Sequence, residues 1–231
     1  MKLGIITAMS SEHKQVAQLL SDKTEVSEGR YCYTLGRIGR HEVVLTQCGI
    51  GKVNAAAGAV ELILRHQPDC IISTGVAGGI DTCLKVMDVV VSREIVYHDV
   101  WCGEGNAYGQ VQGLPARFEG AKALYDCALN LDTATAIHGG LICSGDKFIT
   151  VRAELDRIKK DFPEGLAVDM ESGALAQVCH LYGVPFISFR IISDTPGAEN
   201  HWEQYTNFWG TIADRSFGVT QTFLQSLPAT L

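Results

Sequence analysis

The sequence predicts an α/β fold: a single domain built on a twisted, mixed β-sheet flanked by helices. Three observations predict it. Short apolar runs alternate with helical stretches along the whole chain. The runs are nearly continuous in apolar residues, the pattern of strands covered on both faces. No internal repeat, low-complexity tract or linker divides residues 1–231, and one α/β domain of that length is common. With 46% hydrophobic residues, the chain can bury a sizeable core.

The elements follow in order. Lys2–Thr7 is an apolar strand, and Ser10–Leu20 follows as a helix. Tyr31–Ile38 and Glu42–Thr46 read as a hairpin across Gly39-Arg40-His41, and this local antiparallel pair makes the sheet mixed. Gly49-Ile50-Gly51-Lys52 turns into a helix over Val53–His66. Cys70–Thr74 is a buried strand followed by a glycine turn, Gly75-Val76-Ala77-Gly78-Gly79. Val86–Glu94 is the next strand and Ala121–Leu129 the next helix. Ala136–Ser144 is a strand ending in Ser144-Gly145-Asp146, whose aspartate reads as a brace for its own turn. Arg152–Asp161 is a helix; its Arg157, Lys159 and Lys160 read as a solvated face. Leu166–Val168 leads through Asp169-Met170-Glu171 into a helix over Ser172–Leu181. Phe186–Ile192 leads to Ser193-Asp194, and Thr206–Leu227 closes the chain as a helix.

Composition narrows the function. A net charge of −7 disfavours nucleic acid or an anionic membrane as partner, since both reward basic patches. The eight cysteines form no C-x-x-C pair and read as reduced thiols, several of them buried as small hydrophobes. The N-terminus turns polar too soon for a signal peptide, and no run is long enough to span a membrane. A cytoplasmic protein is expected. Neither glycine turn fits the dinucleotide fingerprint or the P-loop, so no nucleotide cofactor is expected. No His/Cys spacing makes a metal site.

Three acids stand at the ends of three apolar strands: Glu12, Glu171 and Asp194. Strand ends are where α/β proteins bind ligands, and carboxylates are rarely buried unless paired or used. Each also has a plainer reading. Glu12 on its own is first a helix-end acid near Ser10 or Ser11. Asp194 on its own is a turn residue before Pro196. Phe148 and Met170 on their own are core residues.

In sequence, these pieces resemble the bacterial 5′-methylthioadenosine/S-adenosylhomocysteine nucleosidase family. The resemblance is carried by Gly4-Ile5-Ile6 with Ala8-Met9 and Glu12, by Gly49-Ile50-Gly51-Lys52-Val53-Asn54-Ala55-Ala56, and by Thr74-Gly75-Val76-Ala77-Gly78-Gly79. Tyr97-His98-Asp99, Tyr108-Gly109-Gln110, Ser144-Gly145-Asp146-Lys147-Phe148-Ile149, Met170-Glu171 and Arg190 with Ser193-Asp194 continue it in order. It implies a purine nucleoside phosphorylase-like fold, a homodimer, no cofactor, and hydrolysis of adenine thionucleosides with release of adenine.

The resemblance also implies roles. Asp194 delivers a proton toward the purine N7, for which burial after the apolar strand would raise its pKa. Glu12 polarises the attacking water. Glu171 holds the ribose hydroxyls, since a carboxylate accepts two hydrogen bonds at once. Arg190 orders the water or steadies the carboxylates. Met9, Ile50, Phe148 and Met170 form apolar walls, Phe148 against the purine. Ala77, Gly78 and Ile149 offer backbone groups, and Val76, Asp169 and Ser193 complete the binding set. His98 is not expected to be catalytic.

Departures from the family pattern are Val76 in place of a frequent serine, Asp169 in place of a common glutamate, and the stretches Trp101–Asn106 and Thr195–Tyr205. The second of these stretches is expected to form a lid, with Tyr205 or Phe208 closing over the 5′ substituent. Two alternatives stay open. One is a phosphate-dependent purine nucleoside phosphorylase, against which the first turn offers an acid and no arginine. The other is a non-catalytic adenosine-binding protein.

Overall fold

The computed structural model describes residues 1–195, 200–209 and 213–231. Its strands are β1 (Lys2–Thr7), β2 (Ser21–Glu28), β3 (Tyr31–Ile38), β4 (His41–Gln47), β5 (Cys70–Gly79), β6 (Val89–Tyr97), β7 (Phe118–Glu119), β8 (Ile137–Ser144), β9 (Gly165–Asp169) and β10 (Phe186–Asp194). Its helices are α1 (Ser10–Gln18), α2 (Lys52–His66), α3 (Lys122–Leu129), α4 (Arg152–Asp161), α5 (Ser172–Tyr182), α6 (His201–Asn207) and α7 (Ala213–Ser226).

One sheet joins these strands, in the order β10-β6-β8-β9-β5-β1-β4-β3-β2, and β10 also pairs with β5. That second pairing closes β5, β10, β6, β8 and β9 into a ring, from which β1, β4, β3 and β2 extend as an open sheet. Parallel ladders (β1·β4, β1·β5, β5·β10, β6·β8, β8·β9) stand beside antiparallel ones (β2·β3, β3·β4, β5·β9, β6·β10), so the sheet is mixed as expected.

Helices cover both faces. α2 and α5 pack with Ile6, Val44 and Ile71 on one side. α1, α3 and α7 pack with Ile5, Leu45 and Ile72 on the other. Successive strand residues thus enter opposite cores, which is why the strands read as continuous apolar runs.

Several boundaries move, each for a physical reason. The glycine turn expected at Gly75–Gly79 is instead the second half of β5, hydrogen-bonded to β10 and, at Gly78 and Gly79, to β9. The glycines there give room. A Cβ on Gly75 would lie 2.3 Å from Glu12 Oε1 and 2.8 Å from Arg190 Nη1. β6 begins at Val89 because Met87 takes φ +79 in a turn. β10 runs on to Asp194 through a bulge between Ile192 and Asp194. β2 escapes a search for apolar runs because its sequence, SDKTEVSE, is polar and mostly exposed; charge on an edge strand discourages pairing with other chains. The helix expected over Thr206–Leu227 is divided: α6 starts earlier, at His201, α7 ends at Ser226, and residues 210–212 lie outside the described residues.

Candidate active site

A pocket opens at the ends of β1, β5, β9 and β10. Ala8, Met9, Glu12, Ile50, Val76, Ala77, Gly78, Phe148, Val168, Asp169, Met170, Glu171, Ser193, Asp194 and Tyr205 line it. Twelve of the expected site residues are among them. Ile149 lies in the adjoining recess with Gly78, Phe148 and Asp194, and Arg190 is behind the wall. A wider groove beside β7 carries Arg117 and Lys122, but these are already paired with Glu94, Glu164 and Asp126. No acids converge there as they do here.

Glu12 comes from the first turn of α1 and is 2% exposed. Its Oε2 accepts the Ala8 and Met9 N–H groups at 2.9 and 3.0 Å. The helix-end reading of this residue holds, since it reaches back to the helix N-terminus, and the same residue lines the pocket. Its Oε1 accepts the Val76 N–H at 3.0 Å. Position 76 thus acts on Glu12 through its backbone, and valine keeps that bond. Burial raises the Glu12 pKa, against the opposing pull of Arg190 and the three N–H groups. A carboxylate raised in this way is suited to take a proton near neutral pH.

Glu171 stands at the N-cap of α5 and accepts the Gly51 N–H at 2.9 Å. Gly51 takes φ +92 at the head of α2, a conformation that suits glycine. Burial first, then the charge of Asp169, pushes Glu171 up to about 7. Asp194 ends β10 and is buried, and the Ser193 hydroxyl donates to its Oδ1 at 2.7 Å. Asp169 lines the pocket by position, but its carboxylate turns into the wall and pairs with Arg190 Nη2 at 2.8 Å. Breaking a buried pair of this kind costs about 3–5 kcal/mol. Burial opposes the charge of Arg190, but the three carboxylates around its guanidinium, Asp169, Glu171 and Glu12, outweigh that and hold it charged.

The mouth is aromatic. Tyr205 meets Phe148 edge-on, with centroids 5.6 Å apart, and stacks on Trp202 at 5.7 Å. Its hydroxyl lies 3.8 Å from Met9 Sδ. Phe208 is fully buried in the core, so of the two aromatics considered for the pocket, Tyr205 is the one that lines it. Residues 196–199 of the expected lid lie outside the described residues. Asp146 does not brace its own turn: its Oδ1 accepts the Lys52 N–H at 2.7 Å and caps α2. His98 is buried behind Gly145, is not among the residues lining the pocket, and its Nε2 has no hydrogen-bond partner among the described residues.

Replacing Glu171 by glutamine separates its two effects. An amide has one acceptor oxygen where the carboxylate has two, so a ligand that donates to both oxygens loses a hydrogen bond and binds about 100-fold more weakly. Stability moves the other way. The folded pKa lies above the unfolded one, so the folded state holds a proton that the unfolded state has lost. That stabilising preference is full below the ordinary glutamate range and is lost as pH rises toward about 7. Glutamine removes the dependence. The variant's Tm therefore exceeds the parent's at pH 8 and the gap closes at pH 4, which melting curves at the two pH values check.

The sequence matches the phosphorylase superfamily over residues 2–225. It is 44% identical over 202 residues to a 5′-methylthioadenosine/S-adenosylhomocysteine nucleosidase of Actinobacillus succinogenes, covering 86% of this chain and 88% of that protein. The structure superposes on an S-adenosylhomocysteine nucleosidase from Streptococcus pyogenes, solved with 5-methylthiotubericidin, with a TM-score of 0.91 and 37% identity over 99% of this chain and 98% of that one. It also superposes on a 5′-methylthioadenosine/S-adenosylhomocysteine nucleosidase from Colwellia psychrerythraea, solved with adenine, with a TM-score of 0.92 and 35% identity over 100% and 97% of the two chains.

Proposed function

The chain belongs to the phosphorylase superfamily and, within it, to the 5′-methylthioadenosine/S-adenosylhomocysteine nucleosidases, and on that premise we propose how its pocket works. The protein is an N-glycosyl hydrolase. It cleaves the N-glycosidic bond of 5′-methylthioadenosine and S-adenosylhomocysteine and releases adenine and the 5-thioribose product. The observation that carries the mechanism is the convergence of Glu12, Glu171 and Asp194, each buried, on one pocket with apolar walls.

Adenine leaves poorly as an anion. Asp194, whose Oδ1 accepts the Ser193 hydroxyl, gives its proton to N7. As the bond to C1′ breaks, the ribosyl group gains oxocarbenium character, which the buried carboxylates stabilise. Glu12 takes a proton from water, and the hydroxyl adds to C1′. Glu171 accepts the 2′- and 3′-hydroxyls and fixes the sugar between acid and base. Met9, Ile50, Phe148 and Met170 hold the apolar parts of the nucleoside.

Phosphorolysis is disfavoured by the same geometry. The described lining residues include four acids, Glu12, Asp169, Glu171 and Asp194, and no lysine or arginine, and an acid where the water is activated repels phosphate. Purified protein is expected to release adenine from 5′-methylthioadenosine at the same rate with and without phosphate. A strict phosphate requirement, or no adenine at all, would overturn the reading.

The reading includes a homodimer whose second subunit covers the pocket mouth. Ile50 lines the pocket yet is 52% exposed, and Val53 beside it is 80% exposed. Trp101 and Tyr108, in the long connection between β6 and β7, are also exposed apolar groups. A dimeric mass at assay concentration is expected; a fully active monomer would contradict it.

A further inference from the structure

Arg190 lies inside the strand ring, 1% exposed. One edge of its guanidinium is held throughout. Nε–H donates to Ser188 Oγ at 3.1 Å. Nη2 donates to Ser73 Oγ at 2.7 Å and Ser172 Oγ at 3.2 Å, and lies 2.8 Å from Asp169 Oδ2. The hydroxyls order one another. Ser172 Oγ contacts Asp169 Oδ2 and must donate to it, because a carboxylate only accepts. Ser188 Oγ, 2.7 Å from Ser172 Oγ, is then the donor of that pair. Ser188 N–H in turn donates to Ser92 Oγ at 2.9 Å. Hydroxyl protons therefore run from Ser188 to Ser172 to Asp169 in one direction. The opposite edge, Nη1, faces the gap over Gly75 that Glu12 Oε1 also faces.

We infer that Asp169 and Ser172 are positioning residues for the water-activating step: they fix the Nε/Nη2 edge of Arg190 so that Nη1 is presented to Glu12. The inference rests on the nucleosidase reading and deepens it. It assigns Asp169 to Arg190 and not to the substrate, since its side chain is 1% exposed and its oxygens are taken by Arg190 and Ser172. Serine at 172 fits the space at the head of α5, where the hydroxyl bridges β9 and β10.

Glu12 is faced by Arg190 on β10, Glu171 at the head of α5, Cys48 after β4 and Tyr205 on α6. Asp194 lines the same pocket. Of these, Arg190 is the permanent cation, and it favours the ionised form of Glu12. Loosening Arg190 therefore moves the acidic limb of kcat/KM to higher pH.

The test is Ser172→Ala, with Asp169→Asn beside it, in the full chain. Adenine release by the parent is measured first, so that failure of the nucleosidase reading is seen separately. With Ser172→Ala, kcat falls about 10- to 100-fold, as a misplacement on the order of 1 Å would produce. KM stays within about threefold, and the acidic limb shifts upward. A second readout does not need activity: in ¹⁵N spectra the Arg190 side-chain N–H signals are protected in the parent and exchange at least about tenfold faster in both variants. If Ser172→Ala does not fold, Ser188→Ala breaks the same chain one link earlier. A folded variant with kcat, acidic limb and Arg190 exchange all unchanged overturns the inference. So does a loss carried by KM with the limb unmoved.

Discussion

Replacing Glu12 by glutamine lowers kcat for adenine release by about 10²- to 10⁴-fold, the range of a lost general base, while KM changes little. Glutamine has the same shape and cannot take the proton from water. Its effect on the fold is readable beforehand. Glu12 accepts three backbone N–H groups, two on Oε2 and one on Oε1. An amide offers one oxygen, so either Val76 or the Ala8–Met9 pair meets an NH2 group and loses its acceptor. Against this, the amide removes a buried charge whose pKa burial has raised. The variant therefore folds, and ligand binding by calorimetry verifies that its pocket is intact. Activity within a few-fold of the parent would leave Glu12 with only its helix-end role.

Replacing Asp194 by asparagine abolishes adenine cleavage and spares a nitrophenyl riboside. Adenine needs a proton on N7 to leave. A nitrophenolate leaves unaided, and its departure still uses Glu12 and Glu171. Loss of a positioned acid is worth about 10²- to 10⁴-fold on the adenine substrate. Asparagine still offers one N–H to the purine, so binding weakens only modestly. The control is built into the comparison: were Asp194 only the end residue of β10, the damage would fall on both substrates alike. Equal losses on a folded variant would remove it from the role of acid.

How far these roles could be read from the sequence depends on what each residue's position requires. Glu171 and Asp194 follow apolar strands directly, so the strand pattern marks them. Glu12 is marked less clearly, because the backbone bonds that hold it are those of any first-turn acid. The glycines of β5 read as a turn in the sequence because local sequence does not say whether a glycine bends the chain or makes room. At Gly75 the reason is the Glu12 carboxylate and Arg190, which come from positions far away in the chain. β2 carries no apolar alternation and is recognised only through its pairing with β3. Asp169 is the clearest case of a residue whose place was legible and whose partner was not. Its neighbourhood includes Ser188 and Arg190, two strand residues facing one way, and nothing local announces that a serine at the head of α5 joins them.

The closing of β5, β10, β6, β8 and β9 into a ring has a consequence for how the protein comes apart. An edge strand such as β2 can peel away by losing one ladder. A strand of the ring is held on two sides, so freeing it breaks two ladders at once. Val76, Asp169, Arg190 and Asp194 all sit on such strands. These four residues therefore belong to one cooperative unit and lose their places together, late in denaturation, while the β2 edge frays earlier. In rising denaturant Arg190 and Asp194 leave with the ring as a whole, and a molecule that keeps one of them in place with the other astray is a species that this topology keeps scarce.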